Sequence, residues 1–155
     1  MQVQEIMTAA VECCTPTDTA QRAAEIMREA DTGVVPVLVS EDDPKVMGIV
    51  TDRDLCMTVV AEGRDSHQVR VQECMTGQVV TLRPDDDVAR AADLMAEKQI
   101  RRLPVVDARG AILGIVSLAD IVQSPEQTAK ITEAVRDISE PTEEPSIPRA
   151  ENKNR

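Results

Sequence analysis

Residues 48–54 read Gly-Ile-Val-Thr-Asp-Arg-Asp, and residues 114–120 read Gly-Ile-Val-Ser-Leu-Ala-Asp. In both stretches an apolar run ends in a hydroxyl residue, and an aspartate follows three positions later. Such a run predicts a strand that leads directly into a helix, because Thr and Ser cap helices and an acidic residue three positions on completes a capping box. The same stretch occurs twice, 66 residues apart, which indicates an internal duplication.

The similarity continues outward from these stretches toward the N-terminus of each copy. There the matching residues lie 68 positions apart, as Thr8 with Thr76 and Pro36 with Pro104. The separation falls to 66 because the first copy carries the polar run SEDDPK at 40–45 where the second copy has the shorter DARG. Length differences collect in surface loops, so this one predicts a hairpin tip.

Each copy predicts the element order β-α-β-β-α. An apolar segment precedes an amphipathic helix with paired alanines, two β-rich runs joined by a polar turn follow, and a second helix closes the copy. The predicted strands are 11–14, 34–39 and 47–51 in the first copy and 79–82, 103–106 and 112–117 in the second.

The chain divides by composition into five parts. We predict a first repeat at 1–63, a polar linker at 64–72 and a second repeat at 73–123. Residues 124–138 predict an extra helix, because Ile131, Val135 and Ile138 fall on one face. Residues 139–155 are rich in proline and charge, which predicts a disordered tail.

The composition excludes several classes of function. The net charge is −11 and Phe, Tyr and Trp are absent, which argues against binding to nucleic acid backbones or stacked bases. No apolar stretch approaches the roughly 20 residues that span a bilayer, so no membrane partner is expected. Four cysteines without a secretory signal at the N-terminus predict reduced thiols in a cytoplasmic protein.

In combination the chain resembles the tandem cystathionine-β-synthase (CBS) domain pair, or Bateman module, over about residues 3–123. The resemblance is carried by the Met-Thr openings, the helices with paired alanines, the Pro-Val strands (VVPVLV and RRLPVVD) and the Gly-Ile-Val-Thr/Ser-x-x-Asp endings. It implies an α+β, sandwich-like fold in which two β-α-β-β-α repeats, related by a pseudo-twofold axis, pack sheet to sheet. It further implies a stand-alone, non-catalytic module for energy sensing. The module would form a homodimer, and an unknown downstream protein would respond to it.

The resemblance also implies two clefts for adenosine-containing ligands: AMP, ADP or ATP first, with NAD or S-adenosylmethionine as further candidates and no required cofactor. Asp54 would bind the ribose hydroxyls, Thr51 the ribose or phosphate, and two arginines the phosphates. The first cleft would comprise Ile49, Thr51, Asp54, Val79, Val80, Arg101 and Arg102. The second would comprise Val11, Glu12, Val34, Ile115, Ser117 and Asp120.

The two clefts are expected to be unequal. The first-copy equivalents of Arg101 and Arg102 are Gly33 and Val34, which carry no charge, whereas phosphates need charge-assisted donors. We therefore expect the Thr51/Asp54 cleft to be the better phosphate site, and the Ser117/Asp120 cleft to be weaker or to take only a nucleoside.

Other interpretations of the same residues remain open. The hydroxyl and carboxylate pairs could serve only as capping boxes. Arg101 and Arg102 could be solvent-exposed side chains at the start of a strand, or could form salt bridges with the abundant Asp and Glu. The module could be a ligand-free structural or dimerisation unit. Cys13 and Cys14 could form a redox or metal sensor with His67, although no metal-ligand spacing is present. No nucleophile and base are paired by sequence, so we expect neither catalytic residues nor an enzyme.

Overall fold

The computed structural model describes residues 1–125 and 129–140. After a short 3-10 turn at Val3–Glu5, the first repeat and the segment that follows it contain β1 (Thr8–Ala9), α1 (Ala20–Glu29), β2 (Val34–Leu38), β3 (Val46–Thr51), α2 (Asp52–Leu55), which continues as a π-helical segment at Cys56–Val60, and α3 (Val71–Cys74). The second repeat and the C-terminal helix are α4 (Val88–Lys98), β4 (Arg102–Val106), β5 (Ile112–Ser117), α5 (Leu118–Gln123) and α6 (Ala129–Ser139). Of the tail predicted at 139–155, residues 139 and 140 are described, with Ser139 as the last residue of α6, and the rest lies outside the described residues.

Both predicted hairpins are present. β2 pairs with β3 and β4 with β5, each antiparallel, with an irregularity near the tip in both. The strands predicted at 11–14 and 79–82 are wrong: each contributes a single parallel bridge, Cys14 with Val37 and Leu82 with Val105. Pro16 and Pro84 follow two residues later, and a proline cannot donate a hydrogen bond to a continued ladder.

The opening segment of each repeat crosses to the sheet of the other repeat. Thr8 in β1 pairs with Ile115 in β5, and Thr76 forms the equivalent bridge with Ile49 in β3. The glycine of each Gly-Ile-Val stretch makes this approach possible, since a Cβ at Gly114 would lie 2.5 Å from the carbonyl oxygen of Thr8. The crossing places residues of both repeats beside each strand that ends in the hydroxyl residue.

Two aliphatic cores result. Each core contains a valine from the segment that opens the other repeat. Val3 is fully buried in the core of the second repeat, and Val71 is fully buried in the core of the first. The segment predicted as a polar linker thus supplies Val69 and Val71 to the first core. Burying a valine fully stabilises a fold by about 1.5–3 kcal/mol, so the crossing segments contribute to holding the repeats together.

The predicted extra helix is α6, which begins at Ala129. Its apolar face packs against α4, with Ile131, Ala134 and Ile138 buried in the second core. Lys130 adds an exposed ion pair of 2.5 Å with Asp93 of α4. The second repeat therefore carries a third helix on its helical surface.

The two hairpin tips meet each other. The amide of Val46 donates to the carbonyl of Gly110 at 3.0 Å, and the amide of Ile112 donates to the carbonyl of Pro44 at 3.0 Å. The two hairpin tips therefore join the two sheets. They lie at the opposite end of the strands from Ser117 and Thr51.

Candidate functional site

The two hydroxyl and carboxylate pairs form capping boxes. Asp120 Oδ2 accepts hydrogen bonds from the amide and the hydroxyl of Ser117, both at 2.7 Å, and Ser117 Oγ accepts from the amide of Asp120 at 3.2 Å. Thr51 and Asp54 repeat the amide bonds at 2.9 and 3.1 Å. These bonds fix each carboxylate where a strand ends, and Asp120 Oδ1 accepts no hydrogen bond from any residue that the structure describes.

A cavity of about 340 Å³ opens beside Ser117 and Asp120, between the two repeats. Its volume is within the roughly 300–1,000 Å³ of small-molecule sites. All six residues predicted for the second cleft line it: Val11, Glu12, Val34, Ile115, Ser117 and Asp120. The remaining lining residues are Thr8, Ala10, Ala30, Asp31, Thr32 and Arg102. The opening segment and α1 end of the first repeat thus face the strand end of the second.

The floor and rim of this cavity differ in polarity. Val34 and Ile115 are buried, whereas Glu12, Asp31 and Arg102 are exposed. An apolar floor suits a flat heteroaromatic ring, and the polar rim suits hydroxyl and charged groups.

Arg102 is not where the resemblance placed it. The cleft expected for its side chain was that of Thr51 and Asp54, but Arg102 lines the cavity of Ser117 and Asp120. The reason is the β4–β5 register, in which Arg102 lies directly opposite Ser117. Arg101 is held to the same end, because its carbonyl accepts from the amide of Leu118 at 2.8 Å. The expectation that the second cavity has no cation is therefore wrong.

Negative charge nevertheless prevails around the cavity. Of the residues that the structure describes, three carboxylates line it, those of Glu12, Asp31 and Asp120, against the single guanidinium of Arg102. An anionic ligand would gain one charge-assisted contact and meet repulsion from the rest of the rim.

The three residues Ala30, Asp31 and Thr32 were not predicted for the site. They follow the end of α1, where Asp31 adopts a left-handed conformation with φ of 49°. Gln99 has the same conformation 68 residues later, with φ of 54°. An aspartate that replaces the usual glycine after a helix is a signal that could have drawn attention to this turn.

The structure brings only part of the predicted first cleft together. The Thr76–Ile49 bridge places the opening segment of the second repeat two residues before Thr51 in β3. Val79 and Val80, which follow that bridge, are half-buried. Arg101 and Arg102 lie instead beside Ser117 and Leu118 of the second repeat, as described above.

The adjacent cysteines are shielded from ionisation. Burial, reinforced by the charge of Glu12, raises the pKa of Cys13 to about 11. Burial, reinforced by Asp18, raises the pKa of Cys14 to about 12. The thiolate is the reactive and metal-binding form, so neither residue is activated for redox chemistry at neutral pH.

No group of three or more His, Cys, Asp or Glu side chains suited to a metal ion occurs within residues 1–125 and 129–140. Within the same residues, no helix has the length and apolar character needed to cross a membrane.

Comparison with known proteins identifies the family. The CBS domain model matches residues 3–61 and 71–126. YhcV, a CBS domain-containing protein of Bacillus subtilis, is 35% identical over 88% of this chain and 94% of its own length. The fold matches a hexameric CBS-CP12 protein from bloom-forming cyanobacteria, with a TM-score of 0.72 and 33% identity over 81% of this chain and 72% of that one. It also matches CBSX2 in complex with AMP, with a TM-score of 0.67 and 26% identity over 79% and 93% of the two chains.

The chain belongs to the CBS domain family and carries a tandem pair of its domains. The α+β fold expected from the resemblance is confirmed. CBS domain proteins are regulatory modules, and this chain shares their architecture.

Proposed function

We propose that this chain is a non-catalytic sensor that binds an adenine nucleotide in the cavity beside Ser117 and Asp120. The observation that carries the proposal is that all six residues expected for this cleft line a single cavity between the repeats. The AMP complex of CBSX2, a fold relative, supports an adenosine ligand.

The proposed ligand lies across the repeats. The adenine occupies the aliphatic floor at Val34 and Ile115, without an aromatic partner because the chain has none. The free oxygen of Asp120 accepts from the ribose hydroxyls, and Ser117 stays bound to the other oxygen and holds the carboxylate in place. The α-phosphate meets Arg102 at the rim.

Regulation follows because the walls of the cavity come from both repeats. The opening segment of the first repeat and the strand end of the second both contact the ligand, so binding favours one relative placement of the repeats. A downstream protein that recognises that placement reads the signal. Thr51 and Asp54 remain a proposed second cleft of the same kind.

The proposal is tested with the purified chain and its own spectrum. Because Tyr and Trp are absent, co-purified adenine would dominate the ultraviolet absorbance. Thermal unfolding is then followed with adenosine, AMP, ADP, ATP, NAD and S-adenosylmethionine. We expect AMP to raise the melting temperature in a concentration-dependent manner, because a ligand of the folded state stabilises it. A chain that no member of this series stabilises would instead be a ligand-free structural module.

A further inference from the structure

The strand ends of the two repeats are built in the same way. Val34 lies opposite Thr51 in the first hairpin, and Arg102 lies opposite Ser117 in the second. The carbonyl of the preceding residue accepts a hydrogen bond from the first amide of the following helix, at 3.0 Å in the first repeat and 2.8 Å in the second. Together with the two crossings of the opening segments, these matched contacts relate the repeats by an approximate twofold exchange.

The cavity beside Ser117 and Asp120 contains one pair of equivalent residues. Eight of its lining residues belong to the first repeat and four to the second. Each has an equivalent in the other repeat, 68 positions away or, after the hairpin tip, 66 positions away. Ten of these equivalents are not among the lining residues, whereas Val34 and Arg102 are each other's equivalent and both line the cavity. The twofold exchange therefore maps this pair onto itself.

The pair consequently lies where the two clefts meet. The exchange that converts the cavity of Ser117 into the cleft of Thr51 leaves the pair in place. Val34 supports this directly, since it lies opposite Thr51 in its own hairpin and yet lines the cavity of Ser117. The same relation predicts that Arg102, which lies opposite Ser117, also borders the cleft of Thr51 and Asp54.

The guanidinium of Arg102 has no partner that would hold it to one side. The residue is exposed, and its side chain forms no hydrogen bond or ion pair with any residue in the described part of the chain. Val34, by contrast, is buried and carries no donor on its side chain. The pair at the boundary therefore offers one charge-assisted donor for phosphate.

We propose that Arg102 is a phosphate donor shared by the two clefts, so that the chain binds one phosphorylated ligand tightly at a time. The inference rests on the proposed function, because it takes the ligand to be an adenine nucleotide. When AMP in one cleft holds the guanidinium, AMP in the other has no cation at the boundary and meets a phosphate of the same sign. The second AMP is expected to bind at least about tenfold more weakly. Adenosine has no phosphate, so its binding to the two clefts is expected to be uncoupled.

Single-cleft variants test whether the arginine is shared. Asp54→Ala leaves the cavity intact, and Asp120→Ala leaves the other cleft intact. In each background, calorimetric titration gives the ratio of AMP affinity to adenosine affinity, which measures what the phosphate contributes. Arg102→Ala is expected to lower this ratio at least about tenfold in both backgrounds. The matched control is Arg101→Ala, which is expected to leave the ratio unchanged, since Arg101 is exposed but does not line the cavity.

Two results would contradict the proposal. In one, Arg102→Ala lowers the ratio only in the Asp54→Ala background, so that the arginine serves the cavity alone. In the other, Asp120→Ala binds no AMP at all. In either case AMP binding to Asp54→Ala would still support the proposed function, so the two failures are distinguishable. Thermal unfolding without ligand checks that each variant is folded.

The stoichiometry of the unmodified chain is a second test, and it needs no variant. Adenosine is expected to fill two sites per chain with similar affinity. AMP is expected to fill one site, with the second at least about tenfold weaker. Two AMP sites of equal affinity, or a single site for both ligands, would overturn the proposal. A chain that binds neither ligand would refute the proposed function, and the sharing of Arg102 with it.

Discussion

Arg102 lies directly opposite Ser117 in the antiparallel pairing of β4 with β5, and both residues line the cavity between the repeats. Among the described residues that line the cavity, Arg102 is the one cation, and the pairing attaches it to the strand whose end carries the capping box. Sugar and phosphate recognition would therefore occur on the β4–β5 hairpin and the helix α5 that follows it, while the first repeat supplies the opposite wall.

Arg102→Ala is expected to weaken AMP binding by at least about tenfold, because one charge-assisted hydrogen bond contributes about 1.5–3 kcal/mol. Adenosine, which lacks the phosphate, is expected to bind both forms equally. Calorimetric titration of the two ligands separates these effects. Loss of adenosine binding in Arg102→Ala would show that the arginine acts on the shape of the cavity instead.

The carboxylates on the rim predict that affinity depends on the number of phosphates in the nucleotide. Affinity is expected to fall from AMP to ADP to ATP, since each added phosphate meets Glu12 and Asp31 without a second cation among the lining residues. Glu12→Gln removes one carboxylate at nearly constant shape, and it is expected to raise ATP affinity more than adenosine affinity. An unchanged ratio between ATP and adenosine in Glu12→Gln would contradict this electrostatic account.

Met95 and Met27 are equivalent residues in the two repeats. Their different burial predicts different losses of stability when each is truncated to alanine. Met95 is fully buried in the core that includes α6, whereas Met27 is 8% exposed and lines a solvent-accessible groove of about 370 Å³ between α1 and α2. Met95→Ala is expected to lower the free energy of unfolding by about 2–5 kcal/mol, and Met27→Ala by less because its site opens to solvent. Urea unfolding measures both. Equal losses would show that α6 adds little to the burial of the second repeat.

The raised pKa of Cys14 predicts that the folded chain loses stability at alkaline pH. Its pKa is raised by burial to about 12 from an ordinary 9.0, so below pH 9 both the folded and unfolded chains keep the proton. Above pH 9 the unfolded chain releases it first, and the free energy of unfolding falls as pH rises toward 12. Urea unfolding at about pH 8 and about pH 10 is expected to show a smaller difference in Cys14→Ala than in the wild type. The same difference in both would indicate that this thiol is not shielded in the folded chain.

The sequence predicts the elements that depend on local patterns. Both hairpins, the capping boxes and the helix now seen as α6 follow from spacing within a few residues, and the duplication follows from matches 66 and 68 positions apart. The capping interpretation and the binding interpretation of Asp120 turn out to be compatible, because one carboxylate oxygen caps the helix and the other stays free.

What the sequence does not predict are the pairings between distant segments. The crossing of Thr8 to Ile115 and of Thr76 to Ile49 joins residues that no local pattern relates. The same holds for Arg102, whose neighbour across the sheet decides which cleft it lines. Asp31 was missed because it lies in a helix-ending turn, where the backbone conformation brings it to the cavity.

Calorimetric titration of AMP into the wild type, Asp120→Ala and Asp54→Ala tests the central claim most directly. The claim predicts binding at the cavity beside Ser117 in the wild type and in Asp54→Ala, and a loss of at least about tenfold in Asp120→Ala. Asp54 is the matched control, since it forms the same capping box in the other repeat. Unchanged AMP affinity in Asp120→Ala, with the loss found in Asp54→Ala instead, would contradict the assignment of this cavity.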